Sequence, residues 1–330
     1  MRAGRLHFRN FAFYVGAVVH RVLPRLLLRA RLRGLLEPVN SEKRGELLER
    51  IDYCNKLNAP FEVPLGTPRC RFKKVNSIYY FDFQRMVRHF PARMRYFHRF
   101  GDERRVPDQP TFVKSRPIAE PNANSVILKL DSVRHFRMAN DAIPFLSKKP
   151  LAVFRGACHQ PHRREFLALT AGVAGTDIGD TRAAAEPEFR RSYLSVPQQL
   201  EYRFILSVEG NDVATNLKWI LSSNSLCFMR QPRFETWFME GRLEPGRHFV
   251  LLREDYSDLA EKIAFYNDHP DLALEIIKNA QAHVRQFTDS KIEKAASLLV
   301  LAKYFALSGQ LDPRIAEDFR LPWGGRAYTL

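Results

Sequence analysis

The second half of the chain alternates short, largely apolar segments with segments whose apolar residues have helical spacing. Such runs, bounded by glycine or polar turns, are typical of buried strands followed by helices. The predicted strands are 151–154, 204–208, 225–229 and 248–252, and the predicted helices are 161–169, 213–221, 234–241 and 257–266. This alternation predicts βαβ units on a parallel sheet and therefore an α/β fold.

The rest of the chain carries other patterns. Residues 41–57 have helical spacing, with Ser41 as a candidate N-cap. The aromatic and β-branched residues at 75–83 predict a strand. A proline-rich stretch predicts a short strand, 111–113, between loops. Residues 269–308 predict two consecutive helices.

Positive charge is concentrated at the N-terminus. The 330 residues include 52 Lys and Arg against 36 Asp and Glu, a net charge of +16 that favours anionic partners. A hydrophobic content of 45% excludes a disordered chain. Residues 1–36 hold eight arginines and no acidic residue, and their longest apolar run, 11–19, is too short for a membrane span of about 20 residues.

Two interpretations of residues 1–36 stay open. In the first, apolar side chains enter the headgroup region of a membrane while arginines meet anionic lipid. In the second, an amphipathic helix packs on the protein's own core. A cleaved signal peptide is less favoured, because no small-residue cleavage site follows the apolar run.

No motif indicates a metal or a redox site. The four cysteines, at positions 54, 70, 158 and 227, show neither a CxxC pair nor a Cys/His ligand spacing, which favours a reducing compartment. No Asp-x-Asp stands at a site-like position, so we expect metal independence. The domains that we expect are a basic membrane-surface segment at 1–36, an N-terminal domain at 37–148, a C-terminal domain at 149–310 and a tail at 311–330.

Two loops at carboxyl ends of the predicted parallel strands carry candidate ligand-binding residues. Arg155 and Gly156 follow the first strand, and Arg163 comes one turn later; guanidinium groups suit a diphosphate. Gly210 and Asn211 stand where the next strand turns into a helix, so free backbone amides suit a phosphate or a ribose hydroxyl. Exposed surface arginines and ordinary turn chemistry are the structural alternatives.

Several motifs occur in a specific order and spacing. They are Lys114–Pro117 (KSRP), Phe154–Gly156 (FRG), Tyr202–Asn211 (YRFILSVEGN), Ala214–Ser225 (ATNLKWILSSNS), Glu235–Trp237 (ETW) and Leu243–Phe249 (LEPGRHF). Together they resemble glycosyltransferase family 90, and the first two agree with its bacterial lipopolysaccharide branch. The resemblance covers roughly residues 100–290 and leaves out the arginine-rich start.

The resemblance implies a GT-B architecture, with two Rossmann-like domains facing a cleft and a nucleotide-sugar donor held mainly by the C-terminal domain. It implies that Arg155 neutralises the leaving diphosphate in place of a metal. The protein O-glucosyltransferases of the family carry a second arginine where this chain has Asn216, and Lys218 or Arg203 are candidates to supply that charge. The donor-binding residues that we expect are Arg155, Gly156, Arg163, Glu209, Gly210, Asn211, Asn216, Lys218 and Glu235.

An inverting transfer also needs a base for the proton of the acceptor hydroxyl. In the family this base is an aspartate on a loop shortly before the strand that corresponds to 111–113. Asp102 matches best, with Asp108 and Asp82 in reserve. The alternative for Asp102 is a turn residue that pairs with a neighbouring arginine.

The resemblance therefore implies an inverting glycosyltransferase that moves a hexose from a UDP-sugar to a lipopolysaccharide or lipooligosaccharide core acceptor. We expect a cytoplasmic protein, peripheral on the inner membrane, with the UDP-sugar as co-substrate and no cofactor. The expected partners are the donor, a membrane-bound saccharide acceptor and an anionic membrane surface, with no nucleic acid. The alternatives are a protein O-glycosyltransferase, a basic nucleic-acid-binding protein, and a membrane-recruited scaffold that binds no nucleotide sugar.

Overall fold

The structure, a computed structural model, describes residues 13–36, 44–67 and 77–311. The candidate N-cap Ser41, the first part of the basic segment and nearly all of the predicted tail lie outside these residues. Within the described ranges, no helix is both long enough and apolar enough to cross a membrane.

Helices come first along the described chain, strands and helices alternate between residues 125 and 229, and three helices end it. The strands are β1 Phe97–His98, β2 Thr111–Val113, β3 Ser115–Pro117, β4 Ser125–Ile127, β5 Lys149–Gly156, β6 Thr176–Asp180, β7 Tyr202–Leu206, β8 Leu226–Met229, β9 Phe234–Thr236 and β10 Val250–Leu251. The helices are α1 13–22, α2 Arg25–Ala30, α3 Leu32–Leu36, α4 Arg44–Cys54, α5 Ser77–Val87, α6 Ser132–His135, α7 Pro161–Leu169, α8 Val196–Gln199, α9 Leu217–Leu221, α10 Leu259–Asp268, α11 Pro270–Arg285 and α12 Ser290–Leu307.

The chain forms two compact units, and both are discontinuous in sequence. The first unit contains the described residues of Met1–Val133, Phe234–Met239 and Phe287–Leu330, and the second contains Arg134–Arg233 and Glu240–Gln286. The chain therefore returns to the first unit twice after leaving it. The domain division that we expect from the sequence is contiguous, and it stays a prediction.

The first unit is organised around the long helix α12. Every residue of this helix from Ala295 to Phe305 is buried, and the helix packs against α3, α4 and α5. A helix that is buried all round belongs to the centre of a core. Strands β1, β2 and β4 form a parallel sheet in this unit, and β3 pairs antiparallel with β9.

The second unit is built on a five-stranded sheet with the order β10-β8-β7-β5-β6, in which every neighbouring pair is parallel. One face of this sheet presents Phe154, Phe204 and Phe228 to a core that includes Phe166 of α7. Because side chains alternate along a strand, Arg155 lies on the other face of β5. These parallel sheets confirm the predicted α/β class, whereas the GT-B arrangement stays a prediction.

The predicted strand at 75–83 is wrong. Residues 77–87 form the helix α5, with Tyr80, Phe83 and Val87 buried at helical spacing. Aromatic residues favour strands only weakly, and packing against neighbouring elements overrides that preference. Here α5 packs against α12, and its Tyr80 and Phe81 also contact Ala17 of α1.

The predicted helix at 234–241 is also wrong. Phe234–Thr236 forms the strand β9, and a short 3-10 helix follows at Glu240–Arg242. The pairing of β9 with β3 places Glu235 opposite Arg116. The apolar residues of this segment have helical spacing, but the segment forms a strand because pairing with the distant β3 stabilises it. The predicted helix at 161–169, in contrast, is confirmed by α7 with the same bounds.

Glu293, near the start of α12, joins separate segments of the first unit. Its carboxylate accepts hydrogen bonds from Arg50, from Lys129 at 2.5 Å and from the indole nitrogen of Trp237 at 2.9 Å. The Arg50 guanidinium also lies 4.9 Å from the ring centre of Trp237 and 4.6 Å from that of Phe287. Both returning segments are thus held to α4 by one buried charge network.

We expect Glu293→Gln to lower the free energy of unfolding by about 3–5 kcal/mol, because it removes the carboxylate from beside the buried Arg50 guanidinium. As a control, Glu244→Gln removes the exposed partner of Arg247 and is expected to cost less than about 1 kcal/mol. Urea denaturation followed by circular dichroism measures both. Equal losses in the two variants would contradict this role of Glu293.

Candidate functional site

The carboxyl ends of β5, β7 and β8 lie next to one another in the parallel sheet of the second unit. Ligands of open parallel sheets bind at this edge, where loops and helix starts converge. Most of the predicted donor-binding residues stand in the loops and helices that follow these strands. The residues that the structure brings to this edge are Gly156, Arg163, Glu209, Gly210, Asn211 and Asn216.

Arg163, in the first turn of α7, connects the loop after β5 with the loop after β7. Its guanidinium donates to the carbonyl oxygens of Ala157 at 3.1 Å, Val208 at 2.8 Å and Glu209 at 2.8 Å. Burial holds the pKa of Arg163 below its ordinary value. We conclude that this arginine fixes the shape of the edge through backbone contacts.

Two glycines lie against the Arg163 guanidinium. A Cβ on Gly156 would lie 2.8 Å from the ring of Phe154, which is tighter than real contacts allow. A Cβ on Gly210 would meet the carbonyl of Val213 at 3.6 Å and the Arg163 guanidinium at 3.7 Å, which are ordinary contacts. Gly156 is therefore required by packing, whereas Gly210 leaves room that a ligand can use.

Glu209 carries the acidic charge of the edge. Its carboxylate accepts hydrogen bonds from the backbone nitrogen of Arg233 at 2.9 Å and from the Arg233 guanidinium at 2.8 Å. The side chain of Arg233 is 56% exposed. Our sequence analysis missed Arg233 and Arg230, although both follow β8 and the rule that selected the other loops applies to them equally. Arg230 lies over the ring of Tyr256 and pairs with Glu254.

Asn211 and Asn216 both join loop residues to neighbouring elements. The Asn211 side-chain oxygen accepts a hydrogen bond from Gln160 at 3.2 Å, just before α7. Asn216 donates to the carbonyl of Leu206 at 3.1 Å and accepts from the Ser207 hydroxyl at 3.1 Å, so it ties the start of α9 to the end of β7. Asn216 thus places a neutral amide at this position, and that amide holds backbone and the Ser207 hydroxyl.

Lys218 and Arg203 are the candidates to supply a positive charge in place of the neutral Asn216. Neither of them is exposed at this edge. Lys218 is fully buried and pairs with Glu240 at 2.5 Å inside the second unit. Arg203 belongs to the amino-terminal half of β7, where it donates to Asn267 at 2.8 Å and to the carbonyl of Leu146. The sequence did not reveal these partners because they lie 22 or more residues away along the chain.

Arg155 contacts β6 rather than open solvent. Its guanidinium pairs with the Asp177 carboxylate at 2.5 Å and donates to the carbonyl of Ser192 at 3.0 Å, and its side chain is 6% exposed. Tyr202 donates to the other oxygen of the same carboxylate at 2.7 Å. Burial raises the pKa of Asp177, but the bonds from Tyr202 and Arg155 outweigh it, so this pKa lies below its ordinary value.

Glu235 belongs to the first unit, unlike the other predicted donor-binding residues. Arg116 donates to one of its carboxylate oxygens at 2.7 Å and the Tyr53 hydroxyl donates to the other. The residue is 1% exposed. The structural reason is the strand β9, which turns the Glu235 side chain toward the buried Arg116 instead of placing it on a helix.

The candidate bases differ in their surroundings within the first unit. Asp102 accepts a hydrogen bond from the buried Lys114 at 2.6 Å, and its side chain is 31% exposed. This lysine belongs to the KSRP motif, and its bond to Asp102 is a contact that the sequence analysis did not predict. Asp108 is exposed. Asp82 is buried and accepts from the backbone nitrogen of Ser132 at 2.8 Å and from its hydroxyl at 2.9 Å.

Within the described residues, no group of three or more His, Cys, Asp and Glu side chains is arranged to hold a metal ion. Three of the cysteines, Cys54, Cys158 and Cys227, are free and buried. Burial raises the pKa of the Cys158 thiol, next to the edge, to about 11, so this thiol stays protonated at neutral pH.

The model of the Glycosyl transferase family 90 matches residues 123–316, more than half of the chain. The chain belongs to glycosyl transferase family 90. As a member of this family, it is a glycosyltransferase. It is 49% identical over 314 residues to a protein named O-glucosyltransferase LpsA from Dichelobacter nodosus, and the match covers 93% of this chain and 98% of that protein.

Other relatives of the chain match over shorter regions and at lower identity. Protein O-glucosyltransferase 3 from Homo sapiens is 24% identical over 175 residues, which are 50% of this chain and 34% of that protein. Protein O-glucosyltransferase 2 from Danio rerio is 31% identical over 85 residues, or 26% of this chain and 17% of that protein. The predicted family and the predicted class of enzyme are both confirmed.

We expect Arg163→Lys to lower the free energy of unfolding by about 2–4 kcal/mol, because one ammonium cannot reach three carbonyls in two loops. Arg164→Lys is the matched control: Arg164 is the next residue of α7, is exposed and donates to the carbonyl of His159. Thermal unfolding compares the two variants with the unchanged protein. A loss at Arg164 equal to that at Arg163 would refute the connecting role.

Asp82 makes stability depend on pH in a defined window. Burial raises its pKa from 3.8 to about 6, so the folded state binds its proton more tightly than the unfolded state. The contribution is full below pH 3.8 and is lost as the pH rises through 6, about 3 kcal/mol in total. We therefore expect the unfolding free energy of the unchanged protein, minus that of Asp82→Asn, to fall between pH 4 and pH 7. A constant difference across this range would contradict the assignment.

Proposed function

We propose that this glycosyltransferase moves a hexose, with glucose as the first candidate, from a UDP-sugar to the saccharide core of a lipopolysaccharide or lipooligosaccharide. The observation that carries the proposal is the 49% identity to a relative named O-glucosyltransferase, across 98% of that protein. The KSRP and FRG motifs, which resemble the bacterial branch of the family, support the acceptor class.

The proposed donor site is the edge formed by the loops after β5, β7 and β8, within a GT-B arrangement. The backbone at Gly210 suits a phosphate, because backbone can approach a ligand closely where no Cβ intervenes. The Glu209 carboxylate suits ribose or sugar hydroxyls, which donate to it. Arg233 and Arg230 add positive charge next to Glu209, so they join Arg155 as candidates for the diphosphate.

Arg155 has a specific requirement in this proposal. To meet a diphosphate, its guanidinium must exchange the Asp177 carboxylate for phosphate oxygens. Carboxylates and phosphates are both anionic acceptors that a guanidinium binds through paired hydrogen bonds. The exchange therefore leaves Arg155 with the same number of charged contacts. Arg163, in contrast, keeps its three carbonyl partners and acts as a positioning residue for the two loops. Lys218, Asn216 and Glu235 stay predictions as donor-binding residues, and their observed contacts favour roles in packing.

The proposed reaction is a single displacement. The acceptor hydroxyl oxygen attacks the anomeric carbon of the sugar while the bond from that carbon to the diphosphate oxygen breaks, which inverts the configuration. The hydroxyl proton goes to the Asp102 carboxylate, and the diphosphate carries away the bonding electron pair as UDP. Lys114 donates a hydrogen bond to this carboxylate at 2.6 Å, and a carboxylate within hydrogen-bond reach of the acceptor hydroxyl can take its proton. Arginine charge takes the place of a metal, so no cofactor is part of the proposal.

Asp102→Asn is expected to keep donor binding and to lower turnover by about 100-fold or more, because the amide cannot accept the hydroxyl proton. Asp108→Asn is the control, since Asp108 is an exposed carboxylate of the same loop region. UDP-glucose, UDP-galactose and a GDP-sugar are tested separately, with calorimetry for binding and UDP release for turnover. Loss of turnover in Asp108→Asn alone would move the base to that residue.

Gly210→Ala tests the donor site without disturbing the fold. The added methyl group meets only ordinary contacts in the protein, so we expect unchanged stability and donor binding weakened by about tenfold or more where phosphate approaches the backbone. Gly45→Ala is the matched control, because a Cβ there meets nothing within 4 Å in α4. Calorimetric titration with UDP-glucose measures donor binding in both variants. Unchanged binding in Gly210→Ala would remove this loop from the donor site.

The acceptor is tested by offering purified lipooligosaccharide core and serine-containing peptides in parallel. Transfer to the saccharide supports the proposal, and transfer to the peptide only would favour the protein O-glycosyltransferase alternative. EDTA is expected to leave the rate unchanged, because the proposed charge neutralisation uses arginine. The acceptor class places the reaction at the cytoplasmic face of the inner membrane, and this location is part of the proposal.

A further inference from the structure

The N-terminal helices leave a continuous row of apolar side chains in solvent. We define the apolar stripe as Val15, Val18, Val19, Val22, Leu26 and Leu27, which are between 44% and 75% exposed. Its members on α1 follow helical spacing, so their side chains share one face. Leu26 and Leu27 lie on α2, after Pro24. Single exposed valines need no explanation, but a row of six does.

The opposite face of α1 already packs on the protein. Ala17 is buried against Tyr80 and Phe81 of α5. The Arg85 guanidinium donates to the carbonyl of Phe13 at 2.9 Å, and Arg88 donates to that of Leu23 at 2.6 Å. These contacts fix the helix in place without any help from the apolar stripe. This face therefore follows the interpretation in which an amphipathic helix packs on the protein's own core.

The charge beside the apolar stripe has one sign. Arg21, Arg29 and Arg31 are exposed on the same helices, and residues 1–36 contain no acidic side chain. A second copy of this chain would bring like charges together, which opposes pairing through this face. An anionic lipid surface instead offers hydrocarbon for the valines and phosphate for the arginines.

We propose that the apolar stripe docks on an anionic bilayer, with the valines and leucines at the level of the acyl chains and the flanking arginines among the headgroups. The helices α1 and α2 are too short to cross a membrane and lie along its surface. This inference deepens the location part of the proposed function. Its test uses neither donor nor acceptor, so its failure is separate from a failure of sugar transfer.

The full-length protein is sedimented with vesicles of phosphatidylethanolamine and phosphatidylglycerol, and with vesicles of phosphatidylcholine alone. We expect binding to the anionic vesicles and a loss of about tenfold or more in Val18→Asp combined with Val22→Asp. Leu65→Asp is the control, because Leu65 is an exposed apolar residue outside the stripe, 83% exposed. An equal loss in the control would overturn the assignment to the stripe.

The arginines are tested separately. Replacement of Arg21, Arg29 and Arg31 by Gln is expected to weaken binding to anionic vesicles by about fivefold for each residue, and to leave any binding to phosphatidylcholine unchanged. Higher salt is expected to shrink this difference. Circular dichroism confirms that each variant keeps its helices, since the altered side chains are exposed.

Two results would overturn the proposal. The first is an absence of binding to anionic vesicles by the unchanged protein. The second is a change of molecular mass in Val18→Asp with Val22→Asp, measured by light scattering without lipid, because it would mean that the stripe joins two copies of the chain. An unchanged mass together with lost vesicle binding supports the bilayer as the occupant.

Discussion

A buried carboxylate on α12 is the contact on which the first unit depends. Hydrophobic burial is strong but not directional, so by itself it does not select which distant segments join the N-terminal part of the chain. Glu293 meets Arg50 and Trp237, and Glu235 meets Arg116, all of them buried. A buried charge is tolerated only where its partner is present. We interpret the two acids as the groups that specify where the returning segments pack.

The second unit uses its arginines differently. Arg163 binds three carbonyl oxygens and thereby connects two loops at the edge of the sheet. Arg155 and Arg233 bind carboxylates, which have the same charge and a similar geometry to phosphate oxygens. The carbonyl contacts of Arg163 give the edge a fixed shape. The carboxylate pairs of Arg155 and Arg233 keep guanidinium groups in positions where they can bind an anion. The exposed apolar side chains of α1 and α2 form a surface separate from these arginine contacts.

Much of this architecture follows from local patterns. The helix at 161–169, the strands around 151–154 and 204–208, and the placement of Gly210 and Asn211 after a strand were predictable, because each depends on residues close together in sequence. The strand predicted at 75–83 and the helix predicted at 234–241 failed, because partners far along the chain decided their conformation. The same limit applies to the ion-pair partners of Arg155 and Glu235, because Asp177 and Arg116 lie 22 and 119 residues away from them along the chain.

The sequence by itself determined the family, the α/β class, the edge of the sheet that carries the candidate ligand-binding loops, and the concentration of positive charge at the N-terminus. Periodicity, turn residues and motif spacing are local properties, so they can be recognised in the sequence alone. Only the tertiary structure decided which arginines bind carbonyls, carboxylates or solvent, which acids are buried, and which face of α1 stays exposed. These depend on contacts between residues that are far apart along the chain, and no local pattern encodes the distance between them.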